Sequence, residues 1–229
     1  THLQEDFGRP VLIDNDANLG ALAELWWGVG CTDGDLAFIK VATGIGAGLI
    51  INVRIFRGSS GIAGEIGHTS IDPNGPRCVC GLNGCLTTFI GTPALLGRAE
   101  SELRAVGSNL PPPRSIDDLV TAALDADPPS LELIRYAGNK LGVGIANMLN
   151  LLNPRTVVLG GGIARAGDIV LDAVHETIRG LSLPASISNT EIKTTALNEW
   201  GIALGAATLA LETALQTPSL FPAQSTGAL

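Results

Sequence analysis

Residues 57–87 contain little that could build an apolar core, yet they hold His68 and then Cys78-Val-Cys80-Gly-Leu-Asn-Gly-Cys85. A stretch this rich in glycine and proline cannot fold on buried apolar area alone, so its order must come from those four side chains. A histidine followed by a C-x-C pair and a third cysteine has the spacing of a tetrahedral zinc site. With His68, Cys78, Cys80 and Cys85 all bound, no position is left for an activated water, and the metal is structural. The plain alternative is a chance cluster of reduced thiols. His68 also closes Gly64-Glu65-Ile66-Gly67-His68, which sets a carboxylate beside the metal.

The rest of the chain is long enough, at 229 residues, for one large domain with ample core. Its 45% apolar content and 29 glycines suit an α/β protein with many tight strand-to-helix turns. Fourteen basic against 22 acidic residues, net −8, argue against this chain itself gripping a phosphate backbone. Of the four cysteines, three go to the metal and Cys31 is left over. That usage fits a reducing cytoplasm better than a secreted disulfide framework. No signal-peptide pattern opens the chain and no apolar run reaches ~18 residues, so no membrane partner is expected.

Apolar patterning predicts a strand at Pro10–Ile13 delivering Asp14-Asn15-Asp16, then a helix from about Asn18 to Trp27. Turn chemistry follows at 28–34. Strands are expected at Leu36–Ala42 and within Leu49–Phe56, with the glycine loop Thr43-Gly44-Ile45-Gly46-Ala47-Gly48 between them and a second turn at Asn52-Val53. Further helices are read at Thr92 to about Val106, from a capping box at Ser115–Asp118 to about Leu124, and from a Ser130 cap to Leu152. Ser108–Pro113 reads as a loop. Thr156–Leu159 is a parallel-type strand running into Gly160-Gly161-Gly162. A helix over about 167–179, a strand over 191–196 and a helix over 200–215 complete the chain, with a disordered tail to Leu229.

Four features carry chemistry. Asn15 and Asp16 stand at a strand end, where α/β folds place ligand-binding groups, although an Asp there also serves as a helix cap. The glycine loop would let backbone N–H groups approach a phosphate, but hairpins need glycine too. Gly160–Gly162 offers a nucleotide phosphate or ribose contact, or simply a tight turn. Glu65 and a metal-bound His68, whose second ring nitrogen can donate outward, could face a polyhydroxylated ligand.

Asn-Asp-Ala-Asn, Thr-Gly-Ile-Gly-Ala-Gly, Gly-Glu-Ile-Gly-His, Cys-x-Cys-Gly-x-x-Gly-Cys-Leu and Val-Val-Leu-Gly-Gly-Gly together resemble the ROK family of sugar kinases and sugar-responsive repressors, over roughly residues 10 to 215. The resemblance implies an α/β, two-lobed, actin/hexokinase-like ATPase (ribonuclease H-like) fold. On it, residues 1–20 would be a remnant of the first lobe, 21–203 the larger lobe with its zinc-stapled loop at 57–90, and 204–229 a C-terminal helix and tail. It makes Asp16 the counterpart of the kinases' general base, and puts Asn15, Asp16, Glu65 and His68 on sugar-binding positions. His68, Cys78, Cys80 and Cys85 fall on zinc ligands. Thr43, Gly44 and Gly46 fall on the phosphate loop, and Gly160, Gly161 and Gly162 on the adenosine side.

Two departures bear on function. Thr87 stands where the family usually has a sugar-holding Glu, and the family's opening Asp-x-Gly-Gly-Thr phosphate loop does not occur in these residues. The expectation is therefore a zinc-stabilised, sugar-sensing part of a transcriptional regulator, reaching DNA through a region upstream of Thr1 and acting as a homo-oligomer. The alternative is an ATP- and magnesium-dependent hexose kinase, glucokinase-like, with Asp16 as base.

Overall fold

The computed structural model describes residues 2–29, 34–105 and 111–220. The chain opens with helix α1 (His2–Phe7), which buries nothing, and continues through an extended stretch to α2 (Asp16–Trp27). Strands β1 (Leu36–Val41), β2 (Ile45–Ile51) and β3 (Arg54–Ile55) follow. After the irregular segment come helices α3 (Thr87–Ile90), α4 (Thr92–Ala105), α5 (Ile116–Leu124) and α6 (Pro128–Leu152). Strand β4 (Thr156–Gly160), helices α7 (Asp168–Leu181) and α8 (Pro184–Asn189), strand β5 (Glu191–Thr194) and helix α9 (Gly201–Gln216) follow, with a 3-10 turn at Pro218–Leu220 after them.

The five strands form one sheet in the order β3-β2-β1-β4-β5. Strand β2 is antiparallel to β1 and β3, whereas β4 is parallel to β1 and β5. Because alternate residues face opposite sides, the sheet divides its apolar side chains between two cores. Ala37, Ile39, Val41, Ala47, Leu49, Val157 and Leu159 join the larger one with α4, α5, α6 and α7. Leu36, Phe38, Ile50 and Val158 meet Ala21, Leu22 and Leu25 of α2 on the other face. Helix α9 lies on α2, tied to it by indole N–H bonds from Trp27 to Thr208 (2.7 Å) and from Trp26 to Glu212 (2.8 Å). Glu24, buried within α2, accepts from the Val29 N–H at 3.0 Å and from the Thr195 hydroxyl, fastening the end of α2 to the segment after β5.

Several expectations need correction. Pro10–Ile13 is not a strand: it pairs with no strand among the described residues, and Ile13 is 74% exposed. An apolar run sets no structure without a neighbour to supply its hydrogen bonds. Helix α2 begins at Asp16, two residues earlier than expected, because the Asn15 side chain caps it by accepting from the Ala17 N–H at 2.8 Å. The cap of α6 is Asp127, which accepts from both the N–H and the hydroxyl of Ser130, with Pro128 and Pro129 in the first turn. Only Thr43 and Gly44 of the glycine loop lie in the turn; Gly46 and Gly48 are in β2. Strand β5 stops at Thr194, and α1, α3 and α8 had no prediction.

Two expectations of local structure are met directly. The capping box at Ser115 and Asp118 is present in full. Asn52 and Val53 form the second turn with φ of 52° and 61°. No helix among the described residues is long and apolar enough to cross a membrane. Cys31, most of the 28–34 turn, the first part of the 108–113 loop and the tail from 221 lie outside the described residues.

Candidate functional site

Two short antiparallel bridges, Ser70 with Cys85 and Arg77 with Asn83, fold the 64–86 segment back on itself. The Ile71 N–H bonds the Gly84 carbonyl at 2.8 Å, the Leu86 N–H bonds that of Thr69 at 3.0 Å, and a tight turn joins the Cys78 N–H to the Leu82 carbonyl at 2.8 Å. This backbone scaffold gathers the donors. His68 Nδ1 is 3.6 Å from Cys78 Sγ, Cys80 Sγ is 3.6 Å from Cys85 Sγ, and all four donor atoms lie within 4.8 Å of one another.

The donor set fits a metal. A tetrahedron with bonds of about 2.3 Å to sulfur and 2.0–2.1 Å to nitrogen has edges of about 3.6–3.8 Å, which those two contacts match. Burial pushes the Cys85 thiol up to about 12, and the adjoining Cys80 and Cys78 sulfurs push it the same way. The Leu82 backbone N–H, outweighing desolvation, pulls the Cys80 thiol below its ordinary value. Cys80 and Cys85, shifted in opposite directions beside a third sulfur, are groups that a divalent cation at their centre would reconcile. Four protein donors leave no open position, so an ion held here would order the loop.

The loop is set against β2 at Gly64 and again at Gly67, which packs on the Ile45 carbonyl. The Gly64 carbonyl accepts the Ala47 N–H at 2.7 Å, so this residue continues the edge of β2 beyond the reach of β3. Gly64 has φ of 93°, and a Cβ there would sit 1.9 Å from the Ala47 carbonyl oxygen; glycine is required. The first turn of α2 packs on the same strand. A Cβ on Gly48 would lie 2.1 Å from the Ala17 carbonyl oxygen, so its absence lets the helix settle on β2. Asn15, Asp16, Glu65 and His68 are thus carried by two segments that meet around Ile45–Gly48. Asn15, Asp16 and Glu65 are exposed and His68 is half-buried.

Two ion pairs that the sequence reading missed organise this region. Asp16 is paired with Lys40 of β1, and Asp14 with Arg57, the second residue after β3. Burial raises the Asp14 carboxyl, but bonds from the Asn18 amide (2.8 Å), the Arg57 guanidinium and the Asn15 N–H (2.8 Å) outweigh it and hold the group below its usual value. The available signal was Lys40 itself, a charge interrupting Leu-Ala-Phe-Ile-Lys-Val; its partner, 24 residues upstream, was not readable from spacing.

The glycine turns collect at the same sheet end. The Ala42 carbonyl accepts from Thr92 at the start of α4, at 2.9 Å, beside the exposed Thr43 and Gly44. Gly160 ends β4, Gly161 turns with φ of 86° against the Val41 carbonyl, and Gly162 opens a 3-10 turn. Thr43, Gly44, Gly160, Gly161 and Gly162 therefore flank the C-terminal ends of β1 and β4, the side where open α/β sheets bind ligands. Gly46, inside β2, faces Ala17 at 3.6 Å from a built Cβ rather than lying in the turn. Thr87 is half-buried at the start of α3, just after Cys85 and Leu86.

Comparison with known proteins gives consistent results. The profile of the ROK family matches residues 1–213. The chain is 33% identical to a xylose repressor of Caldicellulosiruptor bescii, covering 94% of this chain and 56% of the repressor. It is 35% identical to a glucokinase of Halalkalibacterium halodurans, covering 87% of this chain and 63% of the kinase. The chain thus spans little more than half the length of these relatives. Among solved structures, a ROK family transcriptional regulator, a homologue of the E. coli MLC protein, superposes with a TM-score of 0.85 at 31% identity, covering 95% of this chain and 56% of the regulator. A ROK family glucokinase from Streptomyces griseus, in complex with glucose and AMPPNP, gives 0.81 at 27% identity, covering 92% of this chain and 71% of the kinase. The α/β fold is that of these proteins, actin/hexokinase-like.

Proposed function

The chain belongs to the ROK family, and from that premise we propose that it is the zinc-stabilised, sugar-sensing part of a transcriptional regulator. The observation that carries the proposal is the meeting of Asn15–Asp16 with Glu65–His68 around one short stretch of β2. An amide, two carboxylates and an imidazole supply donors and acceptors in the mixture that sugar hydroxyls need. Zinc, held by His68, Cys78, Cys80 and Cys85, fixes the His68 end of that set, while the Asn15 cap and the Lys40 ion pair fix the other. The regulator relatives support a sensing role. The net charge of −8 assigns DNA contact to another part of the full protein. Residues 1–20 would then belong with a first lobe, the larger lobe running on to 203, and ligand binding would shift the balance between two lobe arrangements.

A second reading, an ATP-dependent hexose kinase, is favoured by the glucokinase relative and by the likeness to a glucose–AMPPNP complex. There Asp16 would take the proton of the attacking sugar hydroxyl, and the turns at Thr43–Gly44 and Gly160–Gly162 would face the magnesium-bound nucleotide. Calorimetric titration of the chain with glucose and xylose, beside an ATP phosphotransfer assay on the same sugars, separates the readings. The sensing role predicts saturable binding that Glu65→Gln abolishes, and no turnover. Turnover lost in Asp16→Asn would establish the kinase, and silence toward both sugars would reject sensing of these sugars.

A further inference from the structure

Lys40 is the charged residue of β1, the central strand, and its register partners on both sides are glycines: Gly46 in β2 and Gly160 in β4. Directly paired residues project from the same face of a sheet, so neither cross-strand partner puts a side chain beside the lysine stem, which rises between the Phe38 ring over Gly160 and Ala17 of α2 facing Gly46. It reaches the first turn of α2 and pairs with Oδ2 of Asp16. The Lys40 side chain retains 25% of its exposure and that of Asp16 52%, so this is neither a deeply buried staple nor a freely solvated surface pair. A pair of that kind adds little net stability. Its effect is geometric: it fixes the rotamer of Asp16 and leaves Oδ1 as the oxygen to which a ligand hydroxyl can donate.

We propose that Lys40 is a ligand-positioning residue that commits Asp16 to binding a sugar hydroxyl. The inference rests on the sugar-binding reading of the site and deepens it. With Oδ2 held by an ammonium, the free oxygen of Asp16 and the remaining N–H groups of Lys40 form an adjacent acceptor and donor, matched to one hydroxyl that both gives and receives a hydrogen bond.

The test is calorimetric titration of the chain with glucose and xylose, for the wild type, Lys40→Met, Lys40→Arg, Asp16→Asn and the Lys40→Met/Asp16→Asn double variant, with circular dichroism melts confirming that each is folded. Lys40→Met is expected to weaken binding about tenfold or more, and Lys40→Arg to restore most of it. The double variant is expected to lose no more than the worse single one, because both remove the same arrangement. If Lys40→Met destabilises the fold, Asp16→Asn alone, with Lys40 intact, must still show the loss. Wild-type binding with Lys40→Met unchanged, or losses that multiply in the double variant, would overturn the role of Lys40 and leave the sensing reading standing. A wild-type chain that binds neither sugar would overturn both for these sugars.

Discussion

The central sheet and the 64–86 loop lie side by side and are ordered by different forces. In the sheet, every residue of β1 except Lys40 is buried, and Ile39 contacts solvent not at all. Its stability is a sum over many apolar contacts, spread across two cores, with no single residue indispensable. In the loop, the buried side chains are few: Ile66, Cys78, Cys85 and Leu86. Beyond its backbone bridges, four donors converge on one point, and an ion held there would make its order close to all-or-none. The sheet supplies a platform held by apolar burial, and the loop supplies a wall whose precision would depend on a held ion.

That contrast can be broken from either side. Ile39→Ala should cost about 2–5 kcal/mol, lower the cooperative melting transition of the whole chain and leave metal content unchanged; calorimetric melting and metal analysis check both. Cys85→Ser should do the converse. Bound metal would fall from one per chain to near zero and amide exchange would rise across 57–90, while the amides of β1 and β4 stay protected. Exchange that rises equally in the sheet would show that loop and sheet fold as one unit.

Two smaller effects sharpen the picture at the border between the regions. Asp14 has a depressed carboxyl, so its contribution is present above the ordinary carboxylate value of 3.8 and is lost as pH falls through the lower folded value. Removing its partner in Arg57→Gln should lower the melting temperature by a few degrees at neutral pH, and the difference from wild type should shrink toward zero as the solution is acidified below that range. Val53 is a β-branched residue held at φ of 61° in the β2–β3 turn and is 61% exposed, so Val53→Gly should stabilise by about 0.5–1 kcal/mol, read from denaturant midpoints.

Features encoded by neighbours in the chain were legible in advance. The capping box needs only Ser115 and Asp118, the metal cluster only the spacing of His68 and three cysteines, and β4 only a run of apolar residues before three glycines. Errors arose where a local signal had two readings. Asp127 and Ser130 are both competent caps, and the structure uses them together with Asp127 as acceptor. Pro10–Ile13 has strand composition but no partner among the described residues. The ion pairs of Lys40 with Asp16 and Arg57 with Asp14 depend on sheet register and on how α2 lands on β2, information that no short window contains. Gly44–Gly48 was read as a phosphate loop or a hairpin requirement, and the close seating of α2 that Gly48 permits was not anticipated.

The carbonyl of Gly64 occupying the amide of Ala47 has a consequence for solubility. Strand β3 and the Phe56 N–H cover Leu49–Ile51 of the neighbouring strand, so Ala47 beyond them is guarded by a segment that an ion on the four donors would hold in place. Without such an ion, loosening of the segment would bare the Ala47 amide on an apolar ribbon, a point at which another molecule could pair. Chelation should therefore be visible first as self-association and only later as unfolding.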